Sequence, residues 1–278
     1  MKNISNCTNP SSNSFVKIQS ALGRRLRRLS AVAGLFMLAI LNLSFVPARY
    51  DYSDLAKVEE GYKILASVNP FSFDPISVRM INTSLEIYDS LALDEEGLSY
   101  EAFNYALKGY EKLLTEGKIK KASILTIADF SQPSTEKRLY ILDLNDYKLR
   151  MRTYVSHGRN SGALMAESFS NRVSSYQSSL GFYVTDQTYR GKHGYSLRLE
   201  GQEKGINDNA RKRAIVMHPA DYADGSIISR LGYLGRSQGC PAVPPSLHKT
   251  IINEIKDGSC FFIYHPSSSY VNRSMLLN

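Results

Sequence analysis

The residues best suited to chemistry lie in the run Leu234-Gly235-Arg236-Ser237-Gln238-Gly239-Cys240-Pro241-Ala242-Val243. A Cys set behind Gly, in a loop bounded by Pro, is not core composition. Gly239 lets the backbone take a positive φ or approach a ligand closely. Successive backbone N–H groups there can point into one concavity, which suits a developing oxyanion. Arg236 brings positive charge nearby, which favours the thiolate, the nucleophilic form of Cys. The same Cys also fits the role of a small buried hydrophobe. His218 is the candidate base. It ends the apolar run Arg213-Ala214-Ile215-Val216-Met217, with Pro219 behind it, and so sits at the rim of a sheet. A Cys nucleophile needs such a neighbour to take its proton, although a strand-end His also serves as a hydrogen-bonded structural residue.

The other histidines and cysteines divide by context. His157 and His193 each precede Gly in a polar loop; either they line a cleft or they hydrogen-bond turns. His248 and His265 have no comparable surroundings. His157, His193, His218 and Cys240 are zinc-ligand types, but none forms a short pair such as C-x2-C or H-x3-H, so no metal site is expected. Cys260 opens an apolar strand and reads as core. With only three Cys (Cys7, Cys240, Cys260) a disulfide-stapled scaffold is excluded. A single Cys240–Cys260 bridge is the alternative to a free thiol kept for chemistry.

These residues need elements to hold them. Ser99 can cap a helix whose apolar positions, Phe103, Ala106, Leu107, Tyr110, Leu113 and Leu114, fall on one face, with Gly117 as its stop. Asp74-Pro75 can start an earlier helix through Tyr88. From about residue 122 the runs become short and rich in β-branched and aromatic residues. Strands are expected at Ser123–Ala128, Arg138–Leu144, Tyr147–Val155, Leu180–Thr185, Ser196–Leu199, Ala214–Met217 and Cys260–Tyr264. Asn145-Asp146 turns a hairpin, and one helix is expected around Ser246–Lys256. The reading is an α+β chain: a helical N-terminal region, 49–121, followed by a mostly antiparallel β domain, 122–278.

The charge distribution isolates the N-terminus. The 278 residues carry 34 Lys/Arg and 26 Asp/Glu, a net charge of +8. Residues 1–50 hold seven of the basic residues and no acid, which leaves 27 against 26 in the remainder. A nucleic-acid surface on the folded part therefore has no electrostatic footprint. Arg24, Arg25, Arg27 and Arg28 precede an apolar run from Ala31 to Leu43, and Val46 and Ala48 supply small residues for cleavage after Ala48. Residues 1–48 thus read as a secretory signal, with an uncleaved membrane anchor as the alternative. Either way the rest of the chain is expected to be exported, to the periplasm or cell envelope.

With these pieces in order, the sequence resembles the YkuD-type L,D-transpeptidase catalytic domain, in the branch of the murein L,D-transpeptidase catalytic domain family. The matching pieces are His157-Gly158-Arg159-Asn160-Ser161-Gly162, Phe169-Ser170-Asn171, Ser178-Ser179-Leu180-Gly181-Phe182-Tyr183, Gly191-Lys192-His193-Gly194 and the run from Gly235 to Val243. The resemblance spans roughly residues 95–265 and is carried by the combination of motifs. The common family signature places a second His just before Gly-Cys; here that position is Gln238, and the gap from His218 to Cys240 is longer than usual. The resemblance implies an L,D-transpeptidase-like fold. It implies that Cys240 attacks the bond between the third residue of a peptidoglycan stem and the terminal D-Ala, that His218 shuttles the proton, and that Gly239 helps hold the oxyanion. Arg236, Ser237, Gln238, His157 and His193 become candidates for contacting the stem, or, for Ser237, for a bond to the backbone. The implied partners are a donor tetrapeptide stem and an amine acceptor, with no metal or organic cofactor. An L,D-carboxypeptidase using water, a catalytically inactive wall-binding module, and a thiol-redox or disulfide protein are the competing readings. The sequence sets no oligomeric state.

Overall fold

A helix that begins at Ser99 and a sheet whose two ends meet carry the candidate site. The computed structural model describes residues 84–278. The signal segment expected at 1–48 and most of the helix expected from Asp74 through Tyr88 lie outside the described residues; residues 84–90, which include the end of that helix, are helical. Among the described residues no helix is long and apolar enough to cross a membrane.

Helix α1 (Tyr100–Thr115) starts where Ser99 accepts the Ala102 N–H at 3.2 Å, satisfying one of the first-turn donors. It ends at Glu116, and Gly117 follows at φ +68°. Its buried face holds Ala102, Phe103, Ala106, Leu107, Gly109, Tyr110 and Leu113. Leu114, expected on that face, is 39% exposed.

The strands are β1 (Ile124–Asp129), β2 (Leu139–Asp143), β3 (Lys148–Thr153), β4 (Gly181–Gly191), β5 (Gly194–Gly201), β6 (Val216–Pro219), β7 (Ala242–Val243) and β8 (Cys260–Tyr264). Their order in the sheet is β3-β2-β1-β8-β4-β5-β6-β7. Pairing is antiparallel except for β1 with β8 and β6 with β7. Strands β1, β2 and β8 are buried along their whole length, which is why their sequences are apolar without alternation. After β3 the chain runs back to the far end of the sheet. The Ser156 N–H donates to the Ala242 carbonyl at 2.8 Å, and Gly158 bridges Ser237. The sheet is therefore barrel-like, closed through the Leu234–Val243 loop.

Helix and sheet share one core, in which Phe103, Ala106, Leu107 and Leu113 sit with Ile127, Phe182 and Phe262. The Phe182 and Phe262 rings stack at 4.1 Å. After the short α2 (Ile228–Leu231), α3 (His248–Ile255) buries Ile251, Ile252 and Ile255 between β7 and β8 in the chain; α4 (Ser268–Val271) follows β8.

Two elements differ from the expected ones. Strands β4 and β5 run on beyond Leu180–Thr185 and Ser196–Leu199 into a long hairpin. A register shift between Thr185 and Thr188 lets polar Asp186 and Gln187 pass without breaking the ladder. Strand β7 has only two residues, between Pro241 and Pro244, too short for any periodicity to announce it.

Candidate active site

His218 is placed by β6 and Cys240 by the loop that enters β7. The strands are parallel neighbours in register His218↔Ala242 and Pro219↔Val243, so Cys240 lies two residues upstream of the partner of His218. This short pairing brings together residues 22 apart in sequence.

His218 is buried, 3% exposed. Its Nδ1 lies 2.9 Å from the Pro219 carbonyl. A carbonyl only accepts, so Nδ1 carries the proton in the neutral ring and Nε2 keeps its lone pair, the state a general base needs. Burial pushes the imidazole pKa below its ordinary value; the Pro219 carbonyl opposes this and the facing His193 adds to it. The exposed His193 sits in the Lys192-His193 turn of the β4–β5 hairpin, where Gly191 pairs Gly194, and its ring stacks on His218 at 4.3 Å. The hairpin tip thus forms one rim of the site.

Cys240 is a free, half-buried thiol; Cys260 is also free and fully buried on β8, so the two are not bridged. The Cys240 Sγ–H donates to the Ala214 carbonyl at 3.6 Å, not to His218. Ala214 itself is held at φ +53°, a conformation costly for a residue with a Cβ. Burial pushes the thiol pKa up, and a Val216 backbone hydrogen bond and the Arg213 charge offset part of that. The resting pair is therefore a neutral thiol and a neutral imidazole. Half-buried Tyr222 also faces this charge: burial and, second, Cys240 both raise its phenol pKa.

The nucleophile loop is shaped by Ser237. Its Oγ accepts the Gly239 N–H at 3.0 Å and donates to the Cys240 carbonyl at 2.6 Å. Gly239 sits at φ +118°, and a Cβ there would lie 2.7 Å from the Gln177 carbonyl oxygen. Gly239 is thus required for its conformation, and its N–H, expected at the oxyanion, is engaged by Ser237 instead. The N–H groups of Gln238 and Cys240 have no acceptor among the described residues.

Two expectations about flanking residues change. His157 does not line the cleft. It is fully buried, with Arg138 donating to Nδ1 at 2.7 Å and Nε2 facing the Gly162 carbonyl at 3.3 Å. Burial first, then the Arg138 charge, lower its pKa from 6.5 to about 4, so it stays neutral. Its contribution is its carbonyl, which accepts the Ser237 N–H at 2.9 Å. Arg236 is not the charge beside the thiol. Its guanidinium reaches the Arg159 and Gly162 carbonyls at 3.3 and 3.1 Å and lies over the Tyr233 ring. The charge that acts on Cys240 belongs to Arg213, which sequence reasoning passed over. Its one signal was position, five residues before His218 at the start of the strand run. Exposed Gln238 and His193 border the site. Among the described residues no three His, Cys, Asp or Glu side chains converge as a metal site.

The family model for the L,D-transpeptidase catalytic domain matches residues 94–264. Among solved structures the chain is similar to an L,D-transpeptidase from Mycobacterium smegmatis, at 12% identity over 51% of this chain and 59% of that one, with a TM-score of 0.32. It is similar to an L,D-transpeptidase from Stackebrandtia nassauensis, at 14% identity over 66% and 76%, TM-score 0.32. It is also similar to the helical cell shape determining protein Pgp2 from Campylobacter jejuni, at 15% identity over 59% and 57%, TM-score 0.34. The chain spans 59% of the length of the Mycobacterium smegmatis protein. No curated protein matches the sequence closely enough to count as a relative.

Proposed function

Because this chain belongs to the family of L,D-transpeptidase catalytic domains, we propose that it is an exported peptidoglycan L,D-transpeptidase of the cell envelope, with Cys240 as nucleophile and His218 as base. What supports the reading is one arrangement: a thiol on the loop that enters β7, a buried imidazole on the neighbouring parallel strand β6 with Nε2 free, and the Cys240 N–H without an acceptor among the described residues. The basic, apolar N-terminal segment supports export.

The chemistry follows from the protonation states. As Cys240 Sγ attacks the carbonyl carbon between the third stem residue and the terminal D-Ala, its proton passes to His218 Nε2. The oxyanion is held by the N–H groups of Cys240 and Gln238; removing one such donor typically costs about 10²–10³ in rate. His218 returns the proton to the departing D-Ala amine, and the acyl group remains on Cys240 as a thioester. An amine of a second stem then attacks, loses its proton to His218 and frees the thiol, giving a 3-3 cross-link. Water in place of the amine gives the L,D-carboxypeptidase product. His193, Gln238 and Arg236 are exposed and are the proposed contacts to the stems.

The test is mass spectrometry of a purified disaccharide-tetrapeptide incubated with the full chain or with Cys240→Ala. Loss of D-Ala with a cross-linked dimer is expected from the parent and from the folded variant not at all. Tripeptide without dimer would make the protein a carboxypeptidase, and binding without turnover a wall-binding module.

A further inference from the structure

Arg213 is the most heavily bonded side chain at the nucleophile loop. Nη1 donates to the Ser170 carbonyl at 2.6 Å and to Ser179 Oγ. Nη2 donates to Ser175 Oγ at 3.3 Å and to the Gln177 carbonyl. All four acceptors lie in one segment, residues 170–179, and none is a carboxylate. The guanidinium is therefore fixed in direction while its charge stays uncompensated by a paired acid. That segment is itself held: Asn171 bonds Asp208 and Asn209, Tyr176 sits at φ +56°, and the Asn160 N–H donates to the Tyr176 carbonyl.

The fixed charge lies against the loop of the nucleophile. A Cβ on Gly239 would come 3.1 Å from Arg213 Nη2 and 2.7 Å from the Gln177 oxygen that this nitrogen bonds. Gly239 is adjacent to Cys240, and the thiol bonds the carbonyl of Ala214, the residue after Arg213. One side chain thus fills the gap between the 170–179 segment, the nucleophile loop and the entry to β6. Arg236, the arginine within the 234–243 loop, is directed to the His157 loop.

We propose that Arg213 is the fixed positive charge that stabilises the Cys240 thiolate as His218 draws off its proton, so that it positions and tunes the nucleophile without touching the substrate. The inference rests on the reading of Cys240 as the nucleophile. Burial disfavours both charged forms of the pair, thiolate and imidazolium, and a nearby fixed cation opposes that penalty on the thiolate. The titratable and charged groups facing the thiol are Arg213, Tyr222 and, across β6–β7, His218 with His193 stacked on it. The Arg213 guanidinium is a cation throughout the neutral range.

The experiment follows alkylation of Cys240 by iodoacetamide against pH in the full chain, with the labelled site located by peptide mass spectrometry. In it the thiolate sulfur displaces iodide and no peptidoglycan is needed. Two substitutions are crossed. Arg213→Gln keeps a planar amide with two donors and loses the charge; Arg213→Lys keeps the charge and three donors but loses the planar fork. The pH midpoint is expected to rise by about one unit in Arg213→Gln, which is about tenfold slower labelling below the midpoint, and to stay near the parent value in Arg213→Lys. Arg211→Gln, which breaks surface ion pairs to Asp186 and Glu200 two residues away, should leave it unchanged. An unshifted midpoint in folded Arg213→Gln, or a larger shift in Arg213→Lys than in Arg213→Gln, overturns the proposal. If Arg213→Gln does not fold, an Arg213→Lys midpoint at the parent value supports it and a raised one overturns it. Because labelling is independent of substrate, loss of this inference leaves the stem-peptide assay standing, and failure of that assay leaves the midpoint shift measurable.

Discussion

Ser237 shows how much one hydroxyl carries at this site. Its Oγ accepts from the buried Gly239 N–H and donates to the Cys240 carbonyl, closing the turn that carries Cys240. Ser237→Ala leaves a buried N–H without a partner, which costs about 1–3 kcal/mol. It also releases Gly239 to compete for the oxyanion geometry. The expected result is a drop in kcat larger than any change in KM, with the thermal midpoint lowered by several degrees. A variant that keeps the parental kcat would mean the turn is held by the backbone ladder alone. His218 teaches the complementary lesson. Its neighbour in sequence, Pro219, supplies the carbonyl that sets the tautomer, so part of the base's orientation is local. Gly239 takes the positive φ expected of it: φ +118° and the closeness of Gln177 require glycine there, while its N–H, expected at an oxyanion, is engaged by Ser237.

At the scale of elements, α1 and β4 meet through an absence. A Cβ on Gly109 would fall 2.1 Å from Phe182 Cζ, with two further ring carbons within 2.5 Å. Glycine inside a helix is unfavourable relative to Ala by about 1 kcal/mol. Overpacking a rigid aromatic in a filled core costs about 1–3 kcal/mol, occasionally more. Phe182 cannot retreat, because its other face stacks on Phe262. Packing should therefore outweigh propensity, and Gly109→Ala should be less stable than the parent by chemical denaturation; a more stable variant would show that the ring yields. The cap at Ser99 and the stop at Gly117 were legible because capping and positive φ are local properties. The β4–β5 hairpin was read too short because a bulge interrupts its alternation at Asp186-Gln187, yet the hairpin's far tip brings His193 onto His218.

Across the molecule, the closure of the sheet determines how acid acts on the fold. The chain after β3 returns to the nucleophile loop through Ser156, His157 and Gly158. His157 is buried with the fully buried Arg138, whose own pKa burial lowers to about 9. The folded-state pKa of His157 is about 4 against 6.5 when unfolded. Between those values the unfolded chain binds a proton that the folded chain does not. Stability is thus fully present above pH 6.5 and is lost as pH falls toward 4, by up to about 3 kcal/mol from this residue. His218 and His265, both shifted in the same direction by burial, add to the loss. Urea unfolding at pH 7, 5.5 and 4.5 should show it, and His157→Gln, which keeps an acceptor for Arg138 and a donor for Gly162, should flatten the dependence. An equally steep loss in His157→Gln would place the acid sensitivity elsewhere.

Composition, turn chemistry and motif order sufficed for the family, the α+β class and most strand positions. All of these rest on interactions between near neighbours or on the strings Ser237-Gln238-Gly239-Cys240 and Met217-His218-Pro219. The roles of the flanking residues did not follow from the string. Arg236 lies four residues from Cys240 and points away from it, whereas Arg213, 27 residues away, lies beside it; His157, in a polar-looking loop, is buried. Charges and hydrogen bonds act through space, and the distances that govern them come into being only when β6 meets β7 and the two ends of the sheet close.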